Sequence, residues 1–330
     1  MALHQSVTPN SSIELTRMPT HLELFSKALL PVRKNLNAVI NAIKEQQESI
    51  PKLSMHLNNI KPELKKIKRY AKVCNFKLEE QAVPLTYPHV LAFNLHLKLM
   101  THKSFPLPVL GLVHIRNTIT AHRKILMSES LNLHAFIGES RVTHKGIEFD
   151  IHSQVCINSE MVWESITTNL YITKKSAKQT PQYNKQLEAQ FQLQYHQLWS
   201  LPENLGRRYA LASGDANPIH LHSLSAKALG FKNAIAHGMW LKAHTIASLS
   251  SIANYQSALT ITVHFKQPTP LNSEVIMNYQ EKATSVSVNK TNTNQNSSNQ
   301  NNEINFNIRS LDGHKLHMVG HITYPNIRSN

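Results

Sequence analysis

The chain contains an imperfect internal repeat, and this repeat constrains the fold more than any other feature of the sequence. Four segments of the first half recur in the same order in the second half, at a shift that grows from 140 to 157 residues. The paired segments begin at Pro62 and Pro202, Tyr87 and Ile235, Val113 and Val263, and Ile147 and Ile304. Each match alone is weak, but four in one order predict a duplicated domain of about 140 to 150 residues.

Each copy shows the same order of predicted elements. A strand comes first, a short helix follows a proline, and a largely apolar helix comes next, over residues 90–100 in one copy and 239–249 in the other. An apolar helix with so few charges should be buried. Several strands with period-two alternation follow it. A buried helix followed by antiparallel strands predicts an α+β fold in which a sheet wraps around a helix. This is the hotdog arrangement, here a double hotdog of two tandem units.

Domain boundaries follow from the repeat and from local composition. Residues 1–20 are predicted to be a flexible N-terminal tail, residues 21–180 the first hotdog unit, and residues 181–330 the second. The last step in the shift coincides with an Asn-rich stretch that cannot bury a core. We therefore expect a disordered insert at about residues 285–303 that extends a hairpin.

Charge and cysteine content limit the classes of partner and compartment. The chain has 330 residues, a net charge of +15 and two cysteines. Such an excess attracts polyanions, of which nucleic acid, a coenzyme A tail and an acidic carrier protein are candidates. We disfavour nucleic acid, because the sequence has no glycine-aromatic RNA signature and no zinc-finger spacing. No apolar run reaches the ~20 residues of a membrane span, and the N-terminus does not resemble a signal peptide, so a cytoplasmic protein is expected.

The densest basic segment, KPELKKIKRYAK at residues 61–72, has two interpretations. Its lysines share one face of a predicted amphipathic helix, while the apolar residues face another. A solvated helix face is the more ordinary interpretation, and a contact with an anionic partner is the alternative.

One polar cluster occurs in the second copy and is missing from the first. Asp215, Asn217 and His220 lie in SGDANPIH, and 22 positions separate Asp215 from His237. In the first copy only 13 positions separate the matching residues, Phe76 and His89, and the carboxylate is missing. Since one copy lacks the cluster, the fold does not require it. Chemistry is therefore the favoured explanation for its presence.

The residue types in this cluster suit general acid/base catalysis. An Asp–His pair can hold a water, take its proton and return one elsewhere. Gly238 marks the start of the buried helix, where a backbone N–H can donate to a developing oxyanion. Asp215 and Asn217 could instead be a turn residue and a helix cap. A zinc site at His220 and His222 is disfavoured, because two such residues diverge by about 200° on a helix.

Residues 209–226 (YALASGDANPIHLHSLSA), followed by IAHGM at residues 235–239, resemble the MaoC-like (R)-specific enoyl-CoA hydratase family. The resemblance covers roughly residues 55–325, and the first half resembles the degenerate unit of double-hotdog acyl-thioester dehydratases. It implies reversible hydration of trans-2-enoyl thioesters to (R)-3-hydroxyacyl thioesters, carried by coenzyme A or acyl carrier protein, in fatty-acid metabolism. No metal or redox cofactor is implied.

The same resemblance implies roles for individual residues. Those matching Asp215 and His220 share the catalytic water, the one matching Asn217 orients it, and the N–H of the one matching Gly238 binds the thioester oxygen. The degenerate first unit makes room for the acyl chain. A double hotdog could be complete as a monomer or pair into a homodimer. The alternative is a hotdog protein that binds acyl thioesters without catalysis.

Overall fold

The structure is a computed structural model that describes residues 11–20, 23–24, 35–45, 50–78, 81–173, 195–252, 258–283 and 301–325. Eleven strands are β1 Ser11–Leu15, β2 Leu53–Ile60, β3 Leu112–Ala121, β4 Leu131–Thr143, β5 Gly146–Ile157, β6 Glu160–Ile172, β7 Tyr195–Leu201, β8 Leu259–Phe265, β9 Ser273–Ala283, β10 Asn301–Ser310 and β11 Leu316–Pro325. The helices are α1 Leu36–Lys44, α2 Leu64–Cys74, α3 Tyr87–Met100, α4 Leu205–Ser213, α5 Ser223–Ala228 and α6 Gly238–Ser248, with a 3-10 turn at Pro218–His220.

All eleven strands form one sheet, in the order β1-β2-β4-β5-β6-β3-β8-β11-β10-β9-β7. Apart from β1, the strands of the first unit follow the order β2-β4-β5-β6-β3 from the edge of the sheet to its middle. Those of the second unit follow the equivalent order β7-β9-β10-β11-β8. The two halves meet where β3 and β8 pair antiparallel, from Arg116 opposite His264 to Ala121 opposite Leu259. The α+β double hotdog expected from the sequence is therefore confirmed, with the two units sharing a single continuous sheet.

Two largely apolar helices, α3 and α6, lie in the core. Leu95 and Leu99 of α3 and Ala243 and Ile246 of α6 have no exposed surface. Helices that bury most of their circumference need a partner on every side, and the curved sheet supplies one. The two helices also bury polar side chains, chiefly His89, Asn94 and His96 on α3 and Lys242 on α6.

The shorter helices α2 and α4 confirm the repeat at the level of single residues. Each ends in a left-handed residue, Asn75 at φ 65° after α2 and Gly214 at φ 78° after α4. The sequence Arg-Tyr-Ala occurs at residues 69–71 and again at 208–210, and aligning these two triplets pairs Asn75 with Gly214. Tyr70 and Tyr209, also equivalent by that alignment, lie with ring centroids 6.0 Å apart. The two copies therefore contact each other through equivalent helices as well as through β3 and β8.

A buried lysine joins the units at their seam. The Lys242 Nζ donates to Asn117 Oδ1 at 2.6 Å, to the Asn117 backbone oxygen at 3.2 Å and to the Ile261 oxygen at 3.1 Å. Burial lowers the pKa of Lys242 well below its usual 10.5. Three acceptors offset the cost of removing the amine from water. Helix α6 is thereby tied to one strand from each unit.

Two predictions about the chain's irregular segments have separate outcomes. The prediction of a flexible tail is wrong for Ser11–Leu15, because this segment forms β1 and pairs parallel to β2. Its alternating Ile13 and Leu15 pack against the core, which is enough to hold an edge strand. The Asn-rich insert lies largely outside the described residues. Among the described residues, no helix is long and apolar enough to cross a membrane.

Candidate active site

The backbone between α4 and the 3-10 turn holds Asp215 in place through short-range hydrogen bonds. Gly214 ends α4 in the left-handed region, which a glycine adopts without strain. The Asp215 N–H donates to Ser213 Oγ at 3.2 Å, and Ser213 Oγ donates to the Tyr209 oxygen at 2.9 Å. The Asn217 N–H donates to Asp215 Oδ1 at 3.3 Å. The carboxylate therefore forms an Asx-type turn on the segment that carries it.

The imidazole of His220 has a defined tautomer. Its Nδ1 lies 2.8 Å from the backbone oxygen of Ile235. Because a carbonyl oxygen only accepts, Nδ1 must carry the proton, and Nε2 is left as the basic nitrogen. Ile235 is held in turn by its own N–H, which donates to the Ile219 oxygen at 3.1 Å. Two backbone contacts thus fix the plane and the tautomer of the ring.

His237 connects the carboxylate to the start of α6. Its Nε2 donates to the Asp215 backbone oxygen at 2.9 Å and lies 3.9 Å from Asp215 Oδ2. Its ring stacks on that of His220, with centroids 3.7 Å apart. The Tyr209 ring also contacts it, with centroids 4.7 Å apart. His237 therefore fixes the backbone of Asp215 relative to the helix that begins at the next residue.

Both histidines are held neutral. Burial lowers the pKa of His220 below its usual 6.5, and the Asp215 carboxylate opposes that shift. Burial holds the pKa of His237 well below 6.5, and the neighbouring His220 lowers it further. A neutral His220 whose Nε2 is basic can accept a proton, whereas His237 uses its Nε2 proton to hold Asp215.

Asn217 caps the 3-10 turn. Its Oδ1 accepts from the Ile219 N–H at 3.3 Å, and Pro218 occupies the first position of the turn. The capping alternative raised by the sequence is thus confirmed. Because the oxygen of the amide is used in the cap, its NH₂ group is the part that can donate elsewhere. Capping and water orientation are compatible, and the second role stays a prediction.

Gly238 is the first residue of α6, so its N–H has no acceptor within the helix. The aromatic ring of Phe265 explains the missing side chain. A Cβ built at Gly238 would lie 2.8 Å from Phe265 Cε1, closer than real contacts allow. Packing against the Phe265 ring at the end of β8 therefore favours glycine at this position. The N–H at the helix start, with the positive end of the helix dipole behind it, remains suited to bind an oxyanion.

Asp215, His220 and His237 offer ligand atoms that all lie within 4.8 Å of one another, so a metal site has to be considered. The rings of His220 and His237 stack, with their planes 27° apart and their centroids 3.7 Å apart. A single metal ion must lie in the planes of both imidazoles, which these rings do not permit. A water held between Asp215 and His220 fits the donors and acceptors better.

Sequence reasoning named the side chains of the site and missed the groups that orient them. Asp215, Asn217 and His220 form one continuous segment in the structure, and Gly238 adjoins His237, which contacts Asp215. The backbone oxygen of Ile235 and the ring of Phe265 were missed, since nothing in the local pattern marks them. Gly206 was also missed, although a glycine inside a helix is a visible signal. A Cβ there would lie 1.8 Å from the His220 oxygen.

Comparison with known proteins identifies relatives of both the domain and the whole fold. The family described as MaoC like domain matches residues 174–302. The 3-hydroxyacyl-thioester dehydratase X of Mycobacterium tuberculosis is 29% identical over 221 residues, which are 67% of this chain and 78% of the relative. A crystal structure of HtdX from the same organism has a TM-score of 0.64 at 22% identity, covering 82% of this chain and 98% of that one.

A MaoC-like dehydratase from Phytophthora capsici has a TM-score of 0.61 at 14% identity, with coverage of 88% of this chain and 97% of that one. At these identities the structural likeness establishes the fold. Since both neighbours are matched over nearly their whole length, the two-unit arrangement is common to all three chains.

Proposed function

We propose that the chain catalyses the reversible hydration of trans-2-enoyl thioesters to (R)-3-hydroxyacyl thioesters, because the family described as MaoC like domain matches residues 174–302. The relative from M. tuberculosis is named a 3-hydroxyacyl-thioester dehydratase, which is the reverse direction of the same hydro-lyase reaction. The observation that carries the proposal is the pair formed by Asp215 and His220, with His220 Nδ1 bound to a backbone oxygen.

The pair can hold the reacting water. One carboxylate oxygen of Asp215 and one ring nitrogen of His220 lie within 4.8 Å of each other, and a water oxygen about 2.8 Å from each of two partners can bridge up to about 5.6 Å. Asp215 accepts one hydrogen of this water, and His220 Nε2 accepts the other. The NH₂ group of Asn217 donates to the water oxygen and turns its remaining lone pair toward the substrate.

In the hydration direction, His220 takes a proton from the water as its oxygen bonds to C3 of the enoyl group. Electron density moves to the thioester oxygen, where the Gly238 N–H donates to the developing negative charge. The proton then passes to C2 and restores the carbonyl. The hydroxyl and hydrogen added are those of one water, and dehydration runs through the same steps in reverse.

Stereochemistry and domain roles belong to the same proposal. A water held by one carboxylate and one imidazole reaches one face of the double bond, and this would give a single alcohol, which we assign as (R). The first hotdog unit, residues 21–180, lacks the Asp–Asn–His cluster and would accommodate the acyl chain. The second unit, residues 181–330, would contain the catalytic groups.

The test is the loss of enoyl-thioester absorbance with crotonyl-CoA and with a longer trans-2-enoyl-CoA. We expect Asp215→Asn and His220→Ala each to lower kcat by about 10²–10⁴. The matched control is His222→Ala. His222 is exposed two residues beyond His220, with its Nδ1 3.4 Å from Arg207, and its loss should leave kcat unchanged.

Folded variants with wild-type turnover would overturn the roles of Asp215 and His220. Dehydration of (S)-3-hydroxybutyryl-CoA rather than the (R) form would overturn the stereochemical assignment. Tight binding of enoyl thioesters without any turnover by the wild-type protein would favour the alternative, an acyl-thioester binding protein.

A further inference from the structure

We infer that the exposed face of α2 is a docking surface for an acidic acyl carrier protein, which presents the thioester to the site. This inference rests on the proposed function and names the carrier of its substrate. We call this surface the basic face. It consists of six cations on and just before α2, all exposed: Lys61, Lys65, Lys66, Lys68, Arg69 and Lys72.

The basic face carries charge that the protein itself does not neutralise. Glu63 is the one carboxylate among residues 61–72, and it pairs with Lys66 at 2.7 Å. Among the described residues, no ion pair reaches Lys65, Lys68 or Lys72. Cations three and four residues apart on a helix repel each other and destabilise it. An anionic partner would remove that repulsion.

The internal repeat shows that the fold does not need this charge. Helix α4 is the equivalent of α2 in the second unit and ends in a residue of the same left-handed conformation. The matching residues 201–212 contain two cations, Arg207 and Arg208, against six in residues 61–72. The same helix therefore folds with far less positive charge, and the extra lysines of α2 require another explanation.

The basic face lies close to the candidate active site. The Arg69 guanidinium donates to the Leu211 oxygen at 3.4 Å, in the last turn of α4 and four residues before Asp215. On the buried side of α2, Tyr70 contacts Tyr209, whose ring lies 4.7 Å from His237. The Trp240 Nε1 of α6 donates to the Val73 oxygen at 2.8 Å. Helix α2 is thus packed against both helices that hold the site.

The extent of the basic face fits a protein better than a coenzyme. The cations of helix α2 run from Lys65 to Lys72, so they are spread along about 10 Å instead of converging on one phosphate. Two exposed leucines accompany them, Leu64 on α2 itself at 50% exposure and Leu211 on α4, whose backbone oxygen accepts from Arg69, at 70%. A charged rim with apolar contacts is the usual composition of a protein interface. Stacking of nucleic-acid bases would need exposed aromatic residues, and the aromatic residue of α2, Tyr70, is fully buried.

The experiment compares one acyl group on two carriers. The α2 variant is Lys65→Glu, Lys68→Glu and Lys72→Glu. A matched control makes the same change in net charge at exposed positions on the sheet and its hairpins. Its substitutions are Lys145→Glu, Lys282→Glu and Lys315→Glu. Substrates are crotonyl-CoA and a bacterial acyl carrier protein loaded with the same crotonyl group. Folding is checked by thermal unfolding.

We expect the α2 variant to lose about 10-fold or more in kcat/KM for the carrier-protein substrate, because charge reversal slows association and weakens docking. The kcat/KM of the α2 variant for crotonyl-CoA should change less than about 2-fold. The control variant should keep the wild-type kcat/KM for both substrates. Added salt should lower the wild-type kcat/KM for the carrier-protein substrate more than that for crotonyl-CoA.

Other outcomes overturn the inference. Equal losses on both substrates would assign the basic face to phosphates that coenzyme A and the carrier share. No loss on either substrate would make it a solvated helix face. Direct binding of the carrier protein to the Asp215→Asn variant, measured by fluorescence anisotropy, separates docking from the proposed reaction. Docking is supported if this binding is lost in the α2 variant, even if neither thioester is turned over. Equal affinity for a duplex oligonucleotide would overturn the assignment to a carrier protein.

Discussion

At the scale of single residues, the protonation state of His220 decides whether the site can accept a proton from water. Burial lowers the pKa of His220 below 6.5, and the charge of Asp215 raises it. The Asp215→Asn variant lacks the negative charge that raises the pKa of His220, so we expect this pKa to fall further. The measurement is the chemical shift of the His220 ring proton from about pH 4 to pH 8, with the protein unfolded in urea as the reference.

A pKa of His220 above 6.5, or a rise in Asp215→Asn, would contradict this account of the pair. The lowered pKa of His220 also predicts the pH dependence of the reaction. A base with a lowered pKa stays neutral as pH falls through 6.5, so kcat/KM should hold at that pH and decline only below it.

Residue types could be read from the sequence, and their orientation could not. Asp215, Asn217 and His220 are close in sequence. Their chemistry, and the lack of such a cluster in the first copy, identified them as candidate catalytic residues. The Ile235 oxygen that orients His220 lies 15 residues away and is a backbone atom. Every residue has such an atom, so no pattern of residue types distinguishes this one.

At the scale of secondary-structure elements, the contact between α4 and the 3-10 turn depends on Gly206. Alanine in a helix is normally better than glycine by about 1 kcal/mol. Here a Cβ would lie 1.8 Å from the backbone oxygen of His220. Backbone cannot rotate away as a side chain can, so we expect Gly206→Ala to destabilise the protein and to lower kcat by displacing His220. Urea unfolding and the crotonyl-CoA assay measure the two effects.

Leu211→Ala is the control for helix α4, since its side chain is 70% exposed. It should change stability by less than about 0.5 kcal/mol and leave kcat unchanged. If Gly206→Ala proved more stable than wild type with full activity, helix propensity would outweigh the contact, and the packing of α4 on the turn would not position His220.

The elements themselves were predicted where the two copies support each other. Asn75 was paired with Gly214 from the sequence, and both residues end their helices in the left-handed region. Strand β1 was missed, because it has no counterpart in the second copy. Its parallel pairing with β2 joins residues 42 positions apart, from Ser11 opposite Leu53 onward, and five residues give too short a pattern to stand alone.

At the scale of the whole molecule, buried histidines in the core of the first unit make its stability depend on pH. Helix α3 of the first unit buries His89 and His96, with ring centroids 5.5 Å apart. Burial lowers the pKa of His96 to about 3 and that of His89 well below 6.5. In the unfolded chain both titrate near 6.5, so unfolding at about pH 5 takes up about two protons from this pair.

Because the unfolded state binds more protons, stability falls as pH decreases from about 6.5 toward 3. Two protons correspond to about 3 kcal/mol per pH unit near pH 5. His96→Gln can keep a hydrogen bond to Ser153, whose Oγ lies 2.6 Å from His96 Nε2, and it removes one titrating group. We expect it to reduce the slope of unfolding free energy against pH by about one proton. Urea unfolding between about pH 4 and pH 7 measures that slope.

The exposed His314, in the turn between β10 and β11, supplies the control variant His314→Gln, which should leave the slope unchanged. An unchanged slope in His96→Gln would contradict the prediction and mean that His96 takes up its proton in the folded state. Helix α3 would then tolerate a buried charge. If the slope does fall, His96 takes up its proton when the core of the first unit unfolds. Since α2 and the β3–β8 seam connect that core to α4 and α6, loss of the first unit would also remove the support of the candidate active site.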